Sequence, residues 1–364
     1  MSAISITRTS QPKPRPADEA LSFGTVFTDH MFMMDYHEGE GWHDARIVPY
    51  QPLSLDPATA VLHYAQAVFD GLKAFRGRDG VIRLFRPDRH AQRMQSSAER
   101  LCIPPLAGAQ VIESFRALIA LDQAWVPAKL GTSLYIRPTI IASEAFLGVR
   151  PAKSYIYYVI LSPVGAYYAE GMNPVKILVA DKYVRAVEGG LGAAKTAGNY
   201  AASLYASEEA KKAGYTQVLW LDGVQRRYFD EVGTMNIMVK IGGEVITPPL
   251  TGGTILPGVT RDSVLTLLKD WGVPASERPV SIEEVLAAHR AGTLEEVWGT
   301  GTAAVVSPVG ELGYKGERIL INAGKTGPMA QRLYDAITAI QYGTEPDRHA
   351  WTLPIADAAR HAAQ

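Results

Sequence analysis

The chain has a single cysteine, Cys102, among 364 residues. One thiol excludes an intrachain disulfide and disfavours a cysteine-rich metal site, so the sequence reads as that of a protein from a reducing compartment. An excess of either charge is also missing, since 36 Lys and Arg stand against 37 Asp and Glu for a net charge of −1. That balance offers no broad basic field for nucleic acid. Long apolar runs are absent too. The longest, residues 155–169 (YIYYVILSPVGAYYA), is interrupted by Ser162, Pro163 and Gly165. It falls short of the roughly 18 to 20 residues of a membrane-spanning helix and is expected to be a buried strand followed by a turn. Residues 1–20 lack the apolar core of a secretory signal and are expected to form a loose, proline-rich tail. The expectation is a soluble, cytoplasmic protein with neither nucleic acid nor membrane as partner.

What is present is the composition of a globular chain. At about 100 to 200 residues per domain the length suggests two or three domains, and 47% apolar with 20% charged residues sets aside disorder and coiled coil. Residues 81–85 and 134–141 are rich in β-branched and aromatic side chains and read as strands. Ala91, Met94, Ala98 and Leu101 recur at helical spacing, as do Val111, Phe115, Leu118 and Ile119. Residues 21–162 therefore read as a small α+β domain. Residues 163–174 collect Pro and Gly between two strong strands and read as a linker. From 175 to 364 short strands (175–180, 217–221, 235–240, 244–247, 295–298) alternate with helices starting near Tyr200, Val259, Ser281 and Pro328, a larger mixed α/β domain. Ser281 with Glu284 has the spacing of a capping box, and Gly214 and Gly272 stand where helices end.

Three glycine-rich loops carry the chemistry. Residues 189–196 (GGLGAAKT) come close to a phosphate-cradling P-loop, but Ala194 occupies a glycine position and the preceding strand ends about eight residues too early. Residues 299–304 (GTGTAA) approach a dinucleotide fingerprint, yet Val305 and Val306 continue as strand, not helix. What remains is Lys195 on a loop of small residues, with Tyr200 five positions on. A lysine becomes a useful nucleophile when desolvated or condensed with an aldehyde, as in pyridoxal phosphate enzymes; a solvated loop lysine fits the same residues. Residues 256–263 (LPGVTRDS) place Pro257, Gly258 and the Thr260 hydroxyl at a helix start, which suits a phosphate or a plain capping turn. Glu231, in FDEVGTMN before a strand, is either a loop acid or the carboxylate that keeps a pyridine nitrogen protonated.

Taken together the motifs resemble the branched-chain amino acid aminotransferases, fold-type IV pyridoxal phosphate enzymes. The resemblance runs from Leu21 to Gly343 through FGTVFTDHM at Phe23, LHYAQAVFDGLKAFRG at Leu62, RLFRP at Arg83, LYIRPTI at Leu134, LGV at Leu147, SPVGAYY at Ser162, then KTAGNY, EVGTMN, LPGVTRD and GTGTAA. It implies a two-domain fold with pyridoxal 5′-phosphate in the cleft between a small and a large domain. It further implies that Lys195 bonds the cofactor and moves the Cα proton, that Tyr200 holds the ring phenolate oxygen, and that Glu231 faces the pyridine nitrogen. Arg93, with Val259, Thr260 and Thr302, is implied to hold the phosphate, although a surface ion pair is the alternative for Arg93. Phe23, Tyr64, Phe69, Tyr135, Tyr167 and Thr234 are implied to wall an apolar pocket, with Val149 donated by a second subunit of a homodimer. Arg137 is implied to meet the glutamate side chain, or else to be structural, and the Thr302–Ala303 backbone with Tyr64 to hold the α-carboxylate. The activity implied is transfer of the amino group of leucine, isoleucine or valine to 2-oxoglutarate, closing their biosynthesis or opening their degradation. A D-amino acid or (R)-amine transaminase and an aminodeoxychorismate lyase share the lysine and glutamate but generally lack the LHYAQAVFDGLKAF and EVGTMN segments together. Where some animal members carry a Cys-x-x-Cys pair, this chain has Ala304 and Ser307, which excludes a thiol switch there. Cys102 is expected to be packed at a helix end.

Overall fold

The computed structural model describes residues 3–165 and 172–355. They divide into two compact units, one of residues 3–165, 194–197 and 339–355, the other of 172–193 and 198–338. Among the described residues no helix is long and apolar enough to cross a membrane.

The first unit is built on a sheet whose central pair is Ser133–Ala142 against Ser154–Val164, antiparallel from Ser133↔Val164 to Ala142↔Tyr155. Alternation along Ser133–Ala142 separates two faces. Leu134, Ile136 and Ile140 enter the core with Leu72, Ala74 and Leu161. Against them pack the helices Pro87–Arg100 and Gly108–Leu121, through Ala91, Met94 and Ala98 and through Val111, Phe115, Leu118 and Ile119. Pro87 opens the first helix, where its missing N–H costs nothing. The other face carries Tyr135 and Arg137, and the register sets Lys73 opposite Tyr135 and Phe69 opposite Thr139 on that side.

Four expectations change here. The N-terminal segment is not loose: Ser5–Ile6 pairs in parallel with Gly41–Pro49, the Thr9 N–H donates to His30 Nε2 at 2.9 Å, and Asp18 accepts from the Ala128 and Lys129 N–H groups. Residues 339–355 belong with the first unit, because Thr352–Pro354 adds an antiparallel edge strand to Ile82–Phe85. The strand ending at Val164 takes up the start of the expected linker, whose residues 166–171 lie outside the described ones. Cys102 is exposed and has a left-handed backbone (φ 54°) just after the helix ends. A short helix, Ala60–Tyr64, stands where the sequence pattern shows none.

In the second unit the strands run in the order Phe229–Val232, Gln217–Leu221, Val175–Val179, Val305–Tyr314, Leu294–Gly301, Met235–Ile241, Glu244–Thr247, Ala275–Glu277. Phe229–Val232 also pairs with Met235–Ile241, so the first six form a closed circuit of hydrogen-bonded neighbours around Ile177, Leu219, Ile237, Val297 and Leu312. Ser281 caps the helix Ile282–Arg290, accepting from the Glu284 N–H at 3.1 Å, a contact of the kind that contributes about 1 kcal/mol. Gly214 and Gly272 end their helices with φ of 85° and 66°.

Candidate active site

Lys195 is placed by its main chain. Its N–H donates to Ser97 Oγ at 2.9 Å, its carbonyl accepts from the Phe69 N–H at 3.1 Å, and the neighbouring Thr196 hydroxyl donates to the Ala67 carbonyl at 2.7 Å. The loop is thereby stitched onto the strand Ala67–Phe69, and the amine lies 5.0 Å from the centre of the Phe69 ring. Burial first, and the nearby Arg93 charge second, bring the Lys195 pKa down to about 8 against the opposing pull of Asp70 and Tyr135.

Arg93 is buried, not part of a surface ion pair. Asp70, in the break between Ala67–Phe69 and Leu72–Arg76, accepts from Arg93 Nε at 2.9 Å and Nη2 at 2.8 Å, and its Oδ1 lies 2.8 Å from His90 Nδ1. Burial works to raise the Asp70 pKa, but Arg93 and then His90 outweigh it and hold the carboxyl well below its ordinary range. Burial pushes His90 down. The carboxylate fixes the guanidinium, which is what an anion-binding arginine requires. We expect Asp70→Asn to lower stability by about 1.5 to 3 kcal/mol, the usual loss for hydrogen bonds to charged groups. Denaturant unfolding checks this; an unchanged midpoint would mean that Arg93 is held by other contacts.

Phe23, Phe69, Tyr135 and Arg137 gather on the same side of this sheet. The Phe23 and Tyr135 rings meet edge to face at 5.0 Å, Arg137 Nη2 donates to the Tyr135 hydroxyl at 3.0 Å, and the guanidinium lies 4.9 Å from the Phe69 ring. Gly71 makes room for that hydroxyl, since a Cβ there would lie 1.8 Å from it. Tyr64 and Val149 are both exposed, and the Tyr64 hydroxyl donates to the Leu147 carbonyl. Tyr167 lies outside the described residues.

In the second unit Glu231 is inside the strand Phe229–Val232, not on a loop before one. The register aligns Glu231, Asn236 and Thr300 across three strands. Glu231 Oε1 accepts from the Leu256 N–H at 2.8 Å, the Asn236 amide donates to the Leu256 carbonyl at 3.0 Å, and Arg185 Nε lies 3.4 Å from Glu231 Oε2. Val259 and Thr260, both buried, open the helix Val259–Asp270. Its preceding Gly258 comes so close to Asn236 that a Cβ would lie 1.8 Å from Oδ1. Thr302 and Ala303 occupy the turn joining Leu294–Gly301 to Val305–Tyr314, and Thr234 the turn before Met235. GTGTAA is thus a strand-to-strand turn. Tyr200 lies half-buried in the short helix Ala197–Ala201.

Sequence reasoning missed Asp70, His90, Ser97 and Arg185. His90 and Arg93 share a helix face at i, i+3 spacing, a sign that one acid serves both; nothing local marked the other two.

Each unit carries groups of a kind that a phosphorylated pyridine aldehyde engages. The first unit offers an amine of lowered pKa and a fixed buried arginine, the second a buried carboxylate and a helix start closely backed by Asn236. The description amino-transferase class IV belongs to the family that matches residues 67–312. The chain is 55% identical to branched-chain-amino-acid aminotransferase 2 of Bacillus subtilis (strain 168) over 353 residues, 97% of each chain. It is 50% identical to a probable branched-chain-amino-acid aminotransferase of Streptomyces coelicolor over 335 residues, 92% of each. Among solved structures it is similar to the branched-chain amino acid aminotransferase of Escherichia coli, with TM-score 0.73 and 27% identity over 89% of this chain and 99% of that one. The fold is also shared with the branched-chain amino acid aminotransferase of Thermobaculum terrenum in its PLP form, with TM-score 0.73 and 22% identity over 89% and 98%. Fold and comparisons thus define a pyridoxal phosphate-dependent aminotransferase of fold type IV. Within that class the chain belongs to the branched-chain-amino-acid aminotransferase family.

Proposed function

We infer that the chain transfers the amino group of leucine, isoleucine or valine to 2-oxoglutarate in a reversible ping-pong exchange, giving branched 2-oxo acids and glutamate. The observation that carries this reading is the desolvated Lys195 amine above the Phe69 ring, on the sheet face that also holds Arg137. An aromatic wall suits an aliphatic side chain and a cation suits a dicarboxylate. When bound, pyridoxal phosphate supplies an aldehyde to accept the amino group and a protonated ring to draw electrons from Cα. Lys195 Nζ takes the Cα proton and returns it, which its lowered pKa favours. Arg93, Val259, Thr260 and Thr302 hold the phosphate, Tyr200 the phenolate oxygen and Glu231 the ring nitrogen. Phe23, Phe69, Tyr135, Tyr167 and Thr234 exclude water from the aliphatic side chain, while Tyr64 and the Thr302–Ala303 backbone hold the α-carboxylate. The test is glutamate formation from 2-oxoglutarate with L-leucine and with D-leucine. Turnover of the L form alone is expected; preference for the D form would favour the D-amino acid transaminase reading.

The same reading makes the enzyme a cytoplasmic homodimer. Leu62, Leu147 and Val149 are large apolar side chains 59%, 61% and 86% exposed, and a second copy that covers them would also receive Val149 as a pocket wall. Light scattering should give twice the chain mass of 39.5 kDa. A fully active monomer would contradict it.

A further inference from the structure

We propose that Arg185 is a positioning residue for the amino transfer: it holds the Glu231 carboxylate ionised and aimed, and through it sets the protonation of the ring nitrogen. The proposal rests on the reading of Glu231 as the ring partner. The side chains of Arg185 and Glu231 are only 7% and 5% exposed and lie 3.4 Å apart. A carboxylate taken from water without a cation protonates instead. A protonated acid would donate to the pyridine nitrogen and could not stabilise its protonated form, so Arg185 favours the charge state in which Glu231 does its work.

The way Arg185 is held supports this. Its Nη2 donates to the Thr254 carbonyl, and two residues on the Leu256 N–H donates to Glu231 Oε1 at 2.8 Å. Segment 254–256 therefore clamps cation and anion together. Gly192 admits the clamp, since a Cβ there would lie 2.1 Å from the Thr254 oxygen. Arg185 Nε lies outside hydrogen-bond geometry, so the pair is Coulombic, not the two-bond fork that would engage both oxygens. One further acid feels the charge of the guanidinium. Asp230 is buried, its Oδ2 makes no hydrogen bond, and its Oδ1 receives the Thr254 hydroxyl at 3.4 Å. Burial raises its pKa to about 6; Arg185 opposes that rise, while Glu231 and Asp222 add to it. Without Arg185, the neighbouring buried acids Asp230 and Glu231 would both lose that cation's field.

The test uses cofactor-loaded enzyme with a ¹⁵N-labelled ring nitrogen, read by NMR, beside the rate of the leucine half-reaction. Arg185→Met should move the nitrogen signal toward the unprotonated form and slow the half-reaction by about 10- to 100-fold, the range of coupling between contacting residues. Arg185→Lys should restore most of both. In a Glu231→Gln background Arg185→Met should add less than about threefold, because it acts through the carboxylate. Full multiplication of the two effects, or an unmoved nitrogen signal in Arg185→Met, would overturn the proposal. If Arg185→Met fails to fold, Arg185→Gln carries the same comparison. An unmoved signal in Glu231→Gln would remove the ring-partner reading and the proposal with it, whereas a signal moved by Glu231→Gln but not by the arginine variants would remove the proposal alone.

Discussion

Lys195→Ala is expected to abolish the leucine half-reaction, by at least about 10⁴-fold, while leaving the protein folded. The loop is positioned by main-chain groups, the Lys195 N–H on Ser97 and its carbonyl on the Phe69 N–H, and an alanine keeps both. What goes is the amine alone, and with it both attachment to the cofactor and the proton carrier. The pKa of about 8 adds a sign. Neutral amine is the reactive form, so capture of pyridoxal phosphate by the apoprotein should accelerate as pH rises through about 8 and level off above it. Turnover like that of the wild type in a rigorously purified variant would remove Lys195 from the chemistry.

Arg137→Met should weaken glutamate and 2-oxoglutarate far more than leucine, by about 2 to 5 kcal/mol, the usual loss when one member of a desolvated charge pair is removed. Leucine is drawn in by the loss of apolar surface to water, at about 25 cal/mol per Å², and needs no cation. A dicarboxylate in the same place loses its hydration and must be met. Arg137 lies among Phe69 and Tyr135, with Nη2 on the Tyr135 hydroxyl, at a junction of aromatic surface and charge. Its alternation partner on the opposite face is the core residue Ile136, so the side chain has no route into the core. Comparing KM for leucine and for glutamate separates the roles. Equal losses would make Arg137 a holder of the architecture or of the shared α-carboxylate.

Much of the fold was legible where one periodicity dominated. The helices Pro87–Arg100 and Gly108–Leu121 announce themselves by apolar residues three and four apart, and Ser133–Ala142 by β-branched residues with one face buried. Phe229–Val232 was not legible, because all four of its residues are buried and FDEV alternates nothing. The joining of residues 339–355 to the first unit depends on a three-residue edge strand too short to show a pattern. The candidate site divides in the same way. Lys195, Glu231 and the helix start at Val259 stand in recognisable motifs, whereas the partners that tune them are drawn in by tertiary pairing. Asp70 meets Arg93 and Arg185 meets Glu231 across long stretches of chain, so no local spacing could reveal either pair.

Lys195 is proposed to carry the cofactor in an enzyme that takes its amino group from branched-chain amino acids. An absorption spectrum of the purified protein, repeated after adding L-leucine without an oxo-acid acceptor, addresses it directly. A visible band from cofactor joined to Lys195 is expected, discharged by leucine and restored by 2-oxoglutarate. A protein with no such band after incubation with pyridoxal phosphate, or with a band that leucine leaves unchanged, would contradict it.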